Sequence, residues 1–179
     1  MLRPEAKRAL ELKIRLADGG DSAAIADALF AAFSLNRAQY TPEAFTAVTP
    51  AVADIDGRFA EGPIWVAELD GAVVGTVSLT TEPEGLYIRS MAVRPDVQGM
   101  GIGHKLLDAV DDFISTSEID RIFLYTTYFV PGAKEMYEKH GFKWVRDTTA
   151  EEWYGTPGLE MDKRIEQPQS SQNRGENAL

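Results

Sequence analysis

The chain has 179 residues and a formal net charge of −10, from 18 Lys+Arg against 28 Asp+Glu. At ~150 residues to a typical domain, that is one domain, or one domain with tails. Cys is absent and there are 2 His, which excludes disulfides, thiolate metal sites and cysteine nucleophiles and argues against a histidine-rich metal site. The acidic balance lacks the basic footprint of a nucleic-acid binder and suits the steering of a cationic substrate.

Met1 to Leu16 is broken by Arg3, Glu5, Lys7, Arg8, Glu11, Lys13 and Arg15, and the most apolar stretch, Ile25–Phe33, contains Asp27. Neither forms a signal core or a span of ~20 residues, so a soluble, cytoplasmic protein with no membrane partner is expected. Residues 1–11 read as a charged arm, 12–165 as the folded domain, and 166–179, rich in Gln, Ser, Asn and Gly, as a disordered tail.

The alternation of Leu12–Ala17 predicts a strand. Asp18-Gly19-Gly20 is a turn, and Asp21 is the expected N-cap of a helix carrying Ile25, Leu29, Phe30 and Phe33. Thr41-Pro42-Glu43 resembles a cap with proline at the first helical position. Pro50 breaks or restarts that helix, so Thr41–Phe59 predicts one or two irregular helices. Strands are expected at Ile64–Leu69 and Val73–Thr80, joined by an Asp70-Gly71 hairpin turn. Glu82–Gly85 reads as a loop and Leu86–Val93 as the next strand, stopped by Pro95. Ile102, Leu106, Leu107, Val110, Phe113 and Ile114 mark a helix from about Gly101. Arg121–Thr127 is a strand, Ala133–His140 a short helix ended by Gly141, and Phe142–Arg146 and Gly158–Arg164 are the last two strands. The order predicts an α/β protein with one mixed sheet and helices on both faces.

Chemistry concentrates in Val93–Lys105. A strand, a proline turn and Gly99, Gly101 and Gly103 lead into a helix whose first N–H groups have no helical partner and whose dipole is positive there. Glycines keep an oxyanion's approach clear, and Lys105 adds charge, so the natural guest is a phosphate or pyrophosphate. His104 stands where a dinucleotide fingerprint needs glycine, and no nucleoside-triphosphate loop is present. The competing reading is that the glycines only let the helix pack on the sheet.

Gln98-Gly99-Met100-Gly101-Ile102-Gly103 resembles the Q/R-x-x-G-x-G/A signature of the GNAT superfamily of acyl-CoA-dependent N-acetyltransferases. Ile14–Ala17 with Asp21 and Ile25 is similar to that family's opening strand and helix, Ser90–Pro95 to its fourth strand, and Ala133–Phe142 to its late A-x-x-x-Y-x-x-x-G-F element. The resemblance covers Leu12 to Lys163. It implies the GNAT fold, with a mostly antiparallel sheet and acetyl-CoA as co-substrate. By the same resemblance, the pyrophosphate rests on Gln98, Gly99, Met100, Gly101, Ile102 and Gly103, with His104 and Lys105 at the helix start. The pantetheine arm pairs with the main chain of Met91, Ala92 and Val93, where the fourth and fifth strands splay apart. Phe33–Phe59 lies across the acceptor side. Members of the family are often dimers, so a homodimer is implied, although no segment marks an interface.

Transfer of acetyl to an amine needs a neutral amine, a stabilised oxyanion and a proton for the departing thiolate. Tyr137 matches the family's usual general acid; its competing role is a core aromatic. The base is open. Many relatives carry a glutamate where this chain has Tyr87; Glu84, with Glu82 just upstream, is the candidate, and a water relay would also serve. Val130 replaces an asparagine that contacts the cofactor arm in many relatives. His140 reads as structural, His104 as support for the loop, and Trp153-Tyr154-Gly155 as core, rim or acceptor pocket. The expected activity is direct acetyl transfer from acetyl-CoA to a primary amine of a small molecule or peptide. The alternatives are a catalytically silent acyl-CoA-binding domain and a nucleotide-binding protein.

Overall fold

A computed structural model describes residues 10–166. The expected tail at 166–179 and the arm at 1–11 therefore lie almost wholly outside the described residues. The strands are β1 (Leu12–Leu16), β2 (Ile64–Leu69), β3 (Ala72–Glu82), β4 (Gly85–Val93), β5 (Arg121–Thr126), β6 (Lys143–Asp147) and β7 (Leu159–Arg164). The helices are α1 (Ser22–Ser34), α2 (Pro42–Val48), α3 (Val52–Arg58), α4 (Ile102–Ser115) and α5 (Ala133–Lys139). They build one 7-stranded sheet in the order β1-β2-β3-β4-β5-β7-β6. Every neighbouring pair is antiparallel except β4–β5.

Alternation along β2 divides the core between the two faces of the sheet. Trp65 and Ala67 join Leu106, Leu107, Val110 and Ile114 of α4 on one face. Ile64 and Val66 join Ile25, Leu29 and Ile55 of α1 and α3 on the other. The Asp70-Gly71 turn has φ of 49° and 86°, the left-handed pair that tightens a two-residue hairpin. The loop expected at Glu82–Gly85 is tighter than predicted, because β3 and β4 pair as far as Glu82 with Gly85.

The cap of α1 differs from expectation. Asp21 makes no side-chain cap bond. Its carboxylate instead accepts from Arg15 Nη1 at 2.7 Å and Nη2 at 2.9 Å, and from the Asp18 N–H. The Arg15 guanidinium holds the Asp21 carboxyl below its usual range. Asp18 caps the single 3-10 turn Gly19–Asp21 that leads into α1, accepting from the Gly20 N–H at 2.8 Å. At α2 the proline signature is realised: Thr41 Oγ1 accepts from the Ala44 N–H at 3.2 Å and Pro42 opens the helix.

Two irregularities in β4 position the site. Ser78 pairs with Ser90 but Leu79 pairs with Ile88, so Arg89 is an extra residue, a β-bulge. The bulge shifts the side-chain phase. Leu86 and Ile88 face α4 before it, Met91 and Val93 face α4 after it, and Ala92 turns to the α1 side. The second irregularity is that β4 pairs with β5 only over Leu86–Ile88 and Ile122–Leu124. Beyond Ile88 the two parallel strands part.

Candidate active site

The gap between β4 and β5 opens into a cavity of about 650 Å³. One end is the loop before α4, where Gln98, Gly99, Gly101, Ile102, Gly103 and His104 line the wall. The middle is bounded by Met91, Ala92 and Val93 of β4 and by Tyr125–Thr127. The far end is closed by Phe33, Asn36, Tyr40, Ala44, Trp153 and Thr156.

The α4 end has the geometry of an anion cradle. Gly99 and Gly101 adopt φ of 82° and 75°, and a Cβ at either would enter open space, so backbone shape is what keeps side chains out. The first α-helical bond here runs from the Lys105 N–H to the Gly101 carbonyl at 3.2 Å, which leaves the preceding N–H groups outside the helical ladder. Gly103 works differently: a Cβ there would fall 2.7 Å from Met136 Sδ, so this glycine lets α4 approach α5. The packing role belongs to Gly103, while Gly99 and Gly101 keep the open backbone that an anion would require. Gln98 Nε2 donates to the Val93 carbonyl at 3.1 Å, fastening the loop to the end of β4. Met100 is exposed and Lys105 faces solvent, and neither lines the cavity.

His104 and His140 are brought together, a pairing that their places in the chain do not reveal. His104 Nδ1 lies 3.0 Å from His140 Nε2, with the rings stacked at 5.2 Å. His140 Nδ1 is 3.4 Å from Asp111 Oδ2, and Lys163 Nζ is 2.8 Å from Asp111 Oδ1. The chain of polar contacts ties α5 to α4 behind the loop.

Tyr137 is 7% exposed and packs edge-on to Phe142 at 5.8 Å. It belongs to the core and also lines the cavity. Its hydroxyl makes no hydrogen bond among the described residues, and burial, with Tyr87 nearby, pushes its pKa above the ordinary tyrosine value. Tyr87 stacks on Phe123 at 5.2 Å and is raised for the same reason, burial first.

The far end draws on residues that carry no motif in the sequence. Tyr125 packs against Trp153 at 5.7 Å and Tyr40 against Phe129 at 4.9 Å. The Thr41 N–H donates to Thr156 Oγ1 at 3.1 Å, and Thr41 Oγ1 donates to the Tyr154 carbonyl at 2.7 Å. These bonds tie the start of α2 to the β6–β7 loop across the cavity.

Residues 27–142 match the acetyltransferase (GNAT) family model. The chain belongs to the GNAT acetyltransferase family. Probable N-acetyltransferase camello of Xenopus tropicalis is 37% identical over 82 residues, covering 44% of this chain and 37% of that protein. N-acetylaspartate synthetase of Homo sapiens is 31% identical over 115 residues, 62% of this chain and 37% of that protein. The chain thus spans well under two thirds of the length of these curated relatives. A PaiA N-acetyltransferase from Thermoplasma acidophilum in complex with coenzyme A superposes with a TM-score of 0.73 at 18% identity, over 87% of this chain and 99% of that one. That likeness bears out the GNAT fold.

Glu84 is not among the residues that line this cavity. It sits in the β3–β4 turn beside Arg121 and Arg164, and its carbonyl accepts from Arg121 Nη1. The cavity wall begins at Ile88, about 13 Å along the strand at ~3.3 Å per residue. No Asp or Glu among the described residues lines the cavity. The composition points to a cationic substrate; the cavity wall does not share the acidity of the whole chain.

Proposed function

We propose that this chain is an N-acetyltransferase that moves the acetyl group of acetyl-CoA directly to a primary amine of a small molecule or peptide. One observation carries the reading. The unpaired edge of β4, the glycine cradle before α4 and Tyr137 all line one cavity. The fit to acetyl-CoA rests on that cradle, free of side chains, and on a strand edge able to pair with an extended arm. Acetyl-CoA would supply the activated thioester.

In this reading the main chain of Gln98–His104 holds the pyrophosphate, and exposed Lys105 and Met100 flank it. Met91, Ala92 and Val93 pair with the pantetheine arm, and a β4 N–H supports the developing oxyanion. Tyr137 donates its proton to the departing thiolate. Its raised pKa keeps it protonated and therefore an acid. The amine loses its proton to water, because no carboxylate among the described residues lines the cavity.

Calorimetric titration with acetyl-CoA, followed by free-thiol detection with a panel of primary amines, tests the proposal. Saturable binding with thiol release and an acetylated product is the expected result. Binding without thiol release from any amine would favour a silent acyl-CoA-binding domain, and stabilisation by ATP or NAD instead of CoA would overturn the cofactor assignment.

A further inference from the structure

The acceptor end has an arginine in its wall and a second beside it, with no carboxylate among the described lining residues. Arg89, the bulge residue of β4, lines the cavity and is ion-paired with Glu61. Arg58, at the end of α3, reaches β4 and donates from Nη1 to Ser90 Oγ at 2.9 Å, and Ser90 is buried in the cavity wall. Among the described residues no carboxylate lies within ion-pair distance of Arg58. Glu61 is ion-paired with Arg89, and Arg58 feels Glu61 and Asp54 only at longer range. Burial and the charge of Arg89 both disfavour the protonated form of Arg58. A partly buried cation next to another cation is costly unless an anion joins it. The bulge places this pair: the extra residue aims Arg89 and Ser90 to the α3 side, where Arg58 arrives.

Four aromatic residues, Phe33, Tyr40, Tyr125 and Trp153, also line this end. A cationic acceptor such as a polyamine would meet Arg89 in the wall, with Arg58 held beside it on Ser90, and no carboxylate among the described lining residues. An amine with a carboxylate would complete the charge balance, with its hydrocarbon body against the rings and its amino group toward the β4–β5 gap. Resting on the transferase reading above, we infer that the acceptor is a primary amine bearing a carboxylate and an apolar or aromatic body, an amino acid or its close analogue, with Arg58 and Arg89 as the carboxylate-binding residues. Fork-shaped guanidinium groups suit a planar carboxylate.

The test compares L-phenylalanine and L-methionine with their amides, with phenethylamine and with spermidine, in thiol release at saturating acetyl-CoA. For at least one of the two amino acids, kcat/KM should exceed that of its own amide by about ten-fold or more, the scale of one charge-assisted contact. Arg58→Met and, separately, Arg89→Gln should bring that ratio toward one. Both variants are checked for an unchanged melting curve, and the one that folds decides. Equal or better use of the amides, phenethylamine or spermidine overturns the acceptor inference and leaves the transferase reading standing. Calorimetry with N-acetyl-L-phenylalanine and its amide reads the same preference without turnover. Tighter binding of the acid, lost in Arg58→Met, supports the inference even where no amine is acetylated, and equal binding overturns it. Failure of the transferase reading shows separately, as thiol release from none of these amines.

Discussion

The two ends of the cavity are made of different material. The α4 end is built from main chain in one continuous stretch: the free edge of Met91–Val93, two left-handed glycines and the first turn of α4. The acceptor end is built from side chains that α1, α2, α3, β4, β5 and the Trp153–Thr156 loop bring together. Main-chain recognition depends on spacing and on the absence of side chains, so it suits a ligand whose shape is fixed. Side-chain recognition depends on residues far apart in the chain, each replaceable without disturbing the strand edge or the helix start. One scaffold can therefore hold a constant co-substrate at one end and vary the partner at the other.

Tyr137 stands at the seam, and its removal should have the largest effect. Tyr137→Phe keeps the ring against Phe142 and deletes only the hydroxyl. A positioned acid contributes roughly 10² or more in rate, so kcat should fall by about two orders of magnitude while the acetyl-CoA dissociation constant stays within about two-fold. The pH profile sharpens this. The proposed acid role needs the protonated form of Tyr137, which persists below its folded pKa, and burial has moved that pKa above the usual ~10. Between about pH 6 and 9 the rate should rise as the acceptor ammonium deprotonates, with no alkaline decline from Tyr137. Unchanged kcat in Tyr137→Phe would remove the hydroxyl from the chemistry.

The next effect belongs to the main-chain end alone. Gly101 has φ of 75° and open space around its missing Cβ. Gly101→Val therefore meets no packing clash but costs ~1–2 kcal/mol for a left-handed backbone. The loop should relax away from the cradle shape and weaken acetyl-CoA binding by about ten-fold, read by calorimetry, with the acceptor KM nearly constant at saturating acetyl-CoA. An equal loss at both ends would mean that the two regions are not separable.

This contrast also explains what the sequence makes legible. The strands, α4, α5 and the proline-capped α2 follow from periodicity and turn chemistry, and the cradle follows from glycine spacing, because each is a local pattern. Asp21 reads as a cap in the sequence because its competing partner, Arg15, is satisfied only once β1 and α1 are folded. Glu84 reads as a base candidate because one dimension does not show which end of β4 opens. Arg58, Tyr40, Tyr125 and Thr156 carry no local signature, since their meeting is made by the fold. The bulge does leave a trace. Apolar residues fall at Leu86 and Ile88 and then at Met91 and Val93, a one-residue slip of the two-residue period that marks Arg89 as the extra residue.

The smallest effect should come from the strap over the acceptor end. Thr156 Oγ1 accepts the Thr41 N–H, and Thr41 also caps α2. Thr156→Val preserves shape, removes the acceptor oxygen and leaves a partly buried N–H without its partner, at a cost of about 1 kcal/mol. That loss should appear as a modestly lower denaturation midpoint. The looser junction between α2 and the β6–β7 loop should raise the acceptor KM a few-fold. Acetyl-CoA affinity should not move, because the cradle at Gly99–His104 lies at the other end of the cavity and shares no hydrogen bond with the strap. A matching rise in the acetyl-CoA dissociation constant would show that α2 and the α4 loop shift together, and the division of labour drawn between the two ends would have to be abandoned.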